Sequence, residues 1–384
     1  MSYFSTNKKL GILGGGQLGK MMLYTTRKWD ITTHVLDPSP AAPSRLACDY
    51  FECGDFRDYQ TAFDFGKDLD IVTFEIEQVN LKALEDLEKK GVKVFPSAAN
   101  LNIIQNKCRQ KDFYAAHQIP TAPYSNYSSL KALIAAVESN QQEMPFVWKA
   151  AEMGYDGNGV KIVRQREDLN SLGEGACLAE KMIPFTHELA VIVCGSVDGK
   201  KVTYPVVEME FHPEANQVEY VLSPARISDE LTKKAEAIAL QVAEALQNVG
   251  LLAVELFLTA AGEILVNEVA PRPHNSGHLT LETAYTDQFE QHLRAVLELP
   301  LGKTDNKVSG VMVNLVGAEG YDGPVYYENI NEVLSFEGVT PHIYGKKETR
   351  PFRKMGHVTI VDPALDKARE RAEEVKKLLT VRTH

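Results

Sequence analysis

Several things that would settle the class of this protein at once are missing from its sequence. Its five cysteines (Cys48, Cys53, Cys108, Cys177 and Cys194) are odd in number and form no C-x-x-C pair. That pattern argues against a disulfide framework or a zinc ribbon and points to isolated, buried thiols in a reducing compartment. No stretch approaches the roughly 18 apolar residues of a membrane span. The opening "MSYFSTNKK" is polar where a secretory signal carries an apolar core. A cytoplasmic protein is therefore expected. Positive charge is also scarce: 41 Lys and Arg stand against 52 Asp and Glu, a formal net charge of −11. Nucleic acid and anionic membrane are poor partners for such a surface, although a local phosphate pocket remains open to it. The Walker A pattern G-x-x-x-x-G-K-[ST] is absent too.

What is present is a chain of 384 residues, enough for two or three domains at roughly 100–200 residues each. Strands and helices alternate at first. An apolar strand at 9–13 leads into a helix over 16–29, with Leu18, Met21, Met22 and Thr25 on one face. Strands follow at 31–37, 69–77 and 93–97, with a helix at 80–91 stopped by glycine. This βαβ series predicts a parallel sheet covered by helices. Residues 98–118 read as one helix. A smaller mixed unit follows: a helix over 129–139 and strands at 145–151, 160–163 and 177–183. From 187 the chain is β-rich, with one strand read over 201–211. A helix over 229–250 comes next, then a strand pair over 251–272 turned at Ala261-Gly262. Later strands lie at 310–317 and 357–362, and a charged helix covers 364–379.

Five stretches carry chemistry. Gly14, Gly16 and Gly19 follow the first strand as G-x-G-x-x-G, and Asp37 ends the second. That is the dinucleotide fingerprint, and it leaves a nicotinamide or flavin oxidoreductase open. A second glycine turn, Gly154 to Gly159, lies between strands and follows Lys149, so it is either a polyphosphate flap or a plain hairpin turn. Glu255 and Glu268 are embedded in the apolar strand pair, where a hairpin turned at Gly262 would set them side by side. Two buried acids need a cation, and oxygen ligands suit Mg²⁺; the alternative is a pair of outward-facing acids on a half-exposed sheet. Asn267 adds an oxygen, but it faces the opposite side unless the strand is bent. Arg272, His274, Asn275, Ser276 and His278 share one irregular loop suited to an oxyanion; the His pair lacks the helical H-E-x-x-H context of a zinc site. Lys346, Lys347, Arg350, Arg353 and Lys354 form a basic cluster, either a solvated loop or a monophosphate pocket.

Taken together, "GGGQLGKM", "FEIEQV", "GYDGNG", "NEVAPRPHNSGH" and "KETRPFRKMGH" resemble the ATP-grasp superfamily. Within it they resemble the 5-(carboxyamino)imidazole ribonucleotide synthetases of purine biosynthesis, in the family's order and across nearly the whole chain. The resemblance implies an α/β (overall α+β) fold: a Rossmann-like domain over 1–115, a lid over 116–188 and a C-terminal ATP-grasp domain over 189–384. It implies ATP clasped between the last two domains. Lys107, Lys149 and the flap residues Gly154, Tyr155, Asp156, Gly157, Asn158 and Gly159 would meet the phosphates. Glu180, Lys181, Met182 and Ile183 would line the adenine, and Glu188 would take the ribose. Glu255 and Glu268 would hold Mg²⁺ with Asn267 beside them, and Arg272, His274 and Asn275 would face the reacting phosphate and bicarbonate. Gln17, Leu18, Glu75, Tyr155, Lys347, Arg350, Arg353 and Lys354 would surround 5-aminoimidazole ribonucleotide, with Asp156 orienting its amine. A homodimer is also implied. Met153, Val160 and Phe352 depart from the family pattern, and His212 is a further phosphate candidate. With an ATP site elsewhere, the first glycine turn needs no nucleotide, and Asp37 reads as a strand-end turn residue. Another ATP-grasp ligase, such as a glycinamide ribonucleotide transformylase or a biotin carboxylase, shares these features.

Overall fold

The structure, a computed structural model, describes residues 7–152, 159–212 and 217–384. The leading strands form a parallel sheet of β1 (Lys9–Leu13), β2 (Thr32–Asp37), β3 (Tyr50–Cys53), β4 (Ile71–Phe74) and β5 (Lys93–Val94) in the order β3-β2-β1-β4-β5. Helix α1 (Gln17–Lys28) buries Leu18, Met21, Met22 and Thr25, the expected face. Helices α2 (Tyr59–Gly66) and α3 (Leu81–Lys90) also cover the sheet, and Gly91 ends α3 at φ +97°. The span read as one helix over 98–118 is two, α4 (Ala98–Ile104) and α5 (Lys107–Ala116). Asn106 causes the break: its backbone is extended, and its side chain accepts the Arg109 N–H at 3.0 Å to cap α5.

The lid is an antiparallel sheet of β6 (Tyr124–Tyr127), β7 (Phe146–Ala150), β8 (Val160–Val163) and β9 (Cys177–Lys181), ordered β6-β9-β7-β8. Helix α6 (Leu130–Glu138) packs Leu133 and Val137 with Phe146 and Trp148.

The largest sheet runs β15-β14-β10-β12-β13-β16-β21-β19, with β11 paired to β10. Its strands are β10 (Phe185–Gly195), β11 (Lys201–Thr203), β12 (Val207–Phe211), β13 (Val218–Ser223), β14 (Gly250–Thr259), β15 (Ile264–Ala270), β16 (Gly310–Val316), β19 (Val339–Ile343) and β21 (Lys354–Val361). Two short ribbons flank it, β17 (Gly323–Pro324) with β20 (Glu348–Thr349), and β18 (Tyr326–Glu328) with β22 (Thr380–Arg382). The single strand expected over 201–211 is split, because Pro205 has no N–H to give a ladder. Helix α7 (Asp229–Ala245) sets Ala235, Ile238 and Val242 on β10 and β14, and it stops short of 250 where Gln247 turns to φ +48°. The remaining helices are α8 (Thr280–Thr283), α9 (Gln288–Val296), α10 (Ile330–Val333) and α11 (Leu365–Leu378). Leu293 and Val296 of α9 share one core with Met21 and Met22 of α1, fastening the first sheet to the last. The cysteines are all free, but only Cys177 and Cys194 are buried; Cys53 is exposed on an edge strand, contrary to expectation.

Candidate active site

The centre of the site is the β14–β15 hairpin. Glu255 stands opposite Glu268, and the register then slips, Leu256 pairing with Val266. Asn267 is thus the extra residue of a bulge, the bend that lets neighbouring side chains on β15 serve one site. Lys149 Nζ donates to Asn267 Oδ1 at 2.9 Å, and Lys107 donates to the Glu268 carboxylate. The side chains of Glu255 and Glu268 are 17% and 40% exposed, so solvent reaches the pair. Burial and the charge of Glu268 push the Glu255 carboxyl above its ordinary range, whereas Lys107 holds Glu268 below it. Two opposed carboxylates and an amide oxygen form an all-oxygen donor set. That set fits a hard divalent cation, whose remaining positions phosphate oxygens can fill.

Above the hairpin lies a buried charge cluster. Lys149 on β7 meets Glu180 of β9 at 2.5 Å, and Lys111 of α5 donates to the same carboxylate. Lys111, Lys149 and Glu180 are 2%, 9% and 4% exposed. The Glu180 side chain is thereby committed to two lysines. Lys181 and Met182 are exposed, and Ile183 is half-buried. Glu188 on β10 is half-buried; burial first, then Glu268, pushes its carboxyl up to about 7. Phe257 lies two residues beyond Glu255, on the same face of β14, and stacks on Phe185 with ring centroids 4.6 Å apart.

The loop after β15 is held in place from outside. Arg272 pairs with Glu77 at 2.8 Å. His274 Nε2 lies 3.3 Å from Glu255 Oε1, and Gln288 clamps the His274 backbone, accepting its N–H at 2.9 Å and donating to its carbonyl at 2.8 Å. Asn275 and Asn314 exchange amide hydrogen bonds, both at 3.0 Å. His278 is buried in the core, bonded to Gln288 at 2.9 Å, with its ring centroid 4.9 Å from that of His357. Glu77, Lys111, Phe257, Gln288 and Asn314 escaped the sequence reading. For Glu77 and Phe257 a signal existed, since each lies two residues from a singled-out glutamate.

The first glycine turn already holds an anion, and it is the protein's own. The Glu75 carboxylate accepts the N–H groups of Gly16, Leu18 and Gly19 at 2.8, 3.1 and 3.1 Å. Asp37 accepts those of Gly15 and Ser39, both at 2.8 Å, which makes it the expected turn residue. A Cβ at Gly14 or Gly16 would come within 2.6 Å of Glu75, so these glycines make room for a side chain where a dinucleotide fold makes room for pyrophosphate. Burial pushes Glu75 up to about 7, against the pull of the Gly19 and Gly16 amides. Gln17 is half-buried, while the Leu18 side chain lies in the core.

In the basic cluster, Lys346 Nζ donates to the Lys354 carbonyl at 2.7 Å and Arg353 to that of Glu348 at 2.7 Å; Lys347 and Arg350 are exposed. Lys354 lies close enough to act on Glu255. Of the expected flap, Gly154, Tyr155, Asp156, Gly157 and Asn158 lie outside the described residues, as does Met153. Gly159 has φ +78°, and its carbonyl accepts the Ala150 N–H at 2.8 Å. Phe352 has φ +61°, a conformation that favours glycine, and meets His212 edge-on at 6.3 Å.

Three families match in sequence. The ribonucleotide synthetase preATP-grasp domain covers residues 7–105, the ATP-grasp domain 112–289 and the phosphoribosylaminoimidazole carboxylase C-terminal domain 310–371. The N5-carboxyaminoimidazole ribonucleotide synthase of Bacillus subtilis is 38% identical, with 92% of this chain and 91% of that protein covered. Plant and yeast relatives named phosphoribosylaminoimidazole carboxylase are longer, and the chain spans 64–69% of their length. Among solved structures, the N5-carboxyaminoimidazole ribonucleotide synthetase of Thermotoga maritima superposes with a TM-score of 0.88 at 42% identity, covering 98% of this chain and 100% of that one. The Aspergillus clavatus N5-carboxyaminoimidazole synthase, in complex with ADP and 5-aminoimidazole ribonucleotide, superposes with a TM-score of 0.88 at 31% identity over 97% and 98% of the two chains. By fold, by sequence along its length and by its matched domains, the chain belongs to the N5-carboxyaminoimidazole ribonucleotide synthetase family of ATP-grasp ligases.

Proposed function

We propose that this chain carboxylates the amine of 5-aminoimidazole ribonucleotide at the expense of ATP and bicarbonate, giving 5-(carboxyamino)imidazole ribonucleotide, ADP and phosphate in purine biosynthesis. The observation that carries the reading is the bulged hairpin, which gathers Glu255, Asn267 and Glu268 within reach of Lys107 and Lys149. The ligands of the Aspergillus clavatus relative support the same chemistry. Magnesium, a homodimer and a cytoplasmic setting belong to this reading.

A bicarbonate oxygen attacks the γ-phosphorus, the bond to the β,γ-bridging oxygen breaks, and ADP leaves with its electron pair. Held by Glu255 and Glu268, Mg²⁺ would neutralise charge on the β- and γ-oxygens. Lys149 of the lid and Lys107 at the start of α5 supply further positive charge, and Lys107 must exchange its contact with Glu268 for the phosphate. Arg272 and His274 flank the transferring group from the loop, and Gln288 fixes the His274 backbone so that no reorganisation is needed during the reaction. The ribonucleotide nitrogen then attacks the carbonyl carbon of carboxyphosphate, or CO₂ released from it. The C–O bond to phosphorus breaks, inorganic phosphate leaves, and Asp156 takes the amine proton. The basic residues Lys347, Arg350, Arg353 and Lys354 are assigned to the ribonucleotide, whereas the Glu75 carboxylate expected beside them is taken up by the first glycine turn.

Phosphate release, measured with ATP alone and then with bicarbonate and the ribonucleotide added, tests the assignment. Release should need both additions; release indifferent to the ribonucleotide counts against it and toward another ATP-grasp ligase.

A further inference from the structure

Lys111 belongs to no motif singled out in the sequence, yet it sits in the least exposed part of the site. Its ammonium donates to the Glu180 carboxylate and, at 2.6 Å, to Thr121 Oγ1. The second Glu180 oxygen takes Lys149 at 2.5 Å. One carboxylate thus faces two ammonium groups, and the three side chains sum to a single positive charge where solvent screens little. The Thr121 hydroxyl donates in turn to the Val266 carbonyl at 2.7 Å, and the Val266 N–H donates to the Pro120 carbonyl at 2.8 Å. Val266 immediately precedes the bulge that carries Asn267 and Glu268. Lys111 therefore joins lid strand β9 to the hairpin that presents the carboxylates.

We infer that Lys111 is a positioning residue for the nucleotide phosphates: by sharing Glu180, it keeps the charge of Lys149 available to a polyphosphate. Without Lys111 the Glu180 carboxylate would be balanced by Lys149 alone, and a phosphate would meet a neutral pair instead of a cation. A neutral side chain at 111 would also leave a buried carboxylate one partner short, turning Lys149 further toward it. This inference rests on the assignment of Lys149 to the phosphates.

Calorimetric titration of ADP into the full chain is the test. K111M should weaken ADP binding by about tenfold or more, and in turnover it should raise KM for ATP far more than it lowers kcat. The K111M/E180Q double variant, which removes the carboxylate as well, should recover most of the lost affinity, as a purely structural role for Lys111 would not allow. If K111M does not reach the native fold, K111Q keeps a donor without the charge and should show the same loss. Wild-type affinity in K111M or K111Q, or a double variant as weak as the single one, overturns the inference. A wild type that binds ADP without ribonucleotide-dependent phosphate release would overturn the proposed reaction and leave this test standing.

Discussion

Individual side chains in this site work in pairs of opposite sign, so single substitutions separate roles cleanly. Glu268→Gln removes one of two opposed carboxylates but keeps the shape and its contact with Lys107. Turnover should fall by at least about a hundredfold while the thermal melt stays near that of the wild type; retained turnover would remove Glu268 from the machinery. Glu75→Ala has the opposite profile, because its carboxylate satisfies three N–H groups of the first glycine turn. Its loss should cost about 2–4 kcal/mol, read by chemical denaturation. Glu75 also shows where residue-level legibility ends. The sequence displays the glycines that make a helix terminus accept an anion, but the partner that fills the terminus is a glutamate 59 residues from Gly16. No local pattern marks such a pairing.

At the scale of elements, caps and close approaches decide where the reactive side chains point. Asn106→Ala removes the cap that starts α5 at Lys107 and should cost about 1 kcal/mol, with weaker ADP binding because the frayed turn carries Lys107 itself. Gly277→Ala would drive a Cβ to 2.3 Å from Ile192 Cδ1 and 2.5 Å from Gln288 Oε1, the oxygen that holds the His274 N–H. It should destabilise the protein by about 1–3 kcal/mol and lower kcat even where the fold survives, checked by melting and steady-state rates together. Strands and helices with strong apolar periodicity, such as β1, α1, α3 and the β14–β15 pair, are legible in the sequence. The bulge at Asn267 is anticipated only as a condition, since adjacent residues on a regular strand face opposite ways. The edge strand β3 and helix α2 carry no comparable signal: three of the four β3 residues lie on a surface that imposes no alternation. Phe352 at φ +61° is likewise invisible to periodicity.

Across the whole molecule, the first and last sheets are held in register by buried contacts that the sequence gives no means of pairing. His292 on α9 is one: its Nδ1 accepts the Leu251 N–H at 3.1 Å, leaving the Nε2 proton for Thr73 Oγ1 of β4 at 2.8 Å. Burial lowers its pKa from 6.5 to about 3. The folded value lies below the unfolded one, so this contribution is complete above pH 6.5 and is lost as the pH falls through 6.5 toward 3. The slope is at most about 1.4 kcal/mol per pH unit. His292→Asn should therefore be less stable at neutral pH but lose less on acidification, seen by denaturant titration across that window. A parallel dependence in both proteins would mean that the imidazole is not held neutral. The βαβ start, the carboxylate pair and the Arg-His-Asn loop were legible because each is local; their convergence with Lys107, Lys149 and Lys354 depends on three sheets meeting, which only the fold reveals. The claim that joins these parts is that bicarbonate oxygen attacks the γ-phosphate of ATP, and ¹⁸O-labelled bicarbonate tests it most directly. Inorganic phosphate formed in the presence of the ribonucleotide should carry one labelled oxygen per molecule; phosphate free of label would contradict the account.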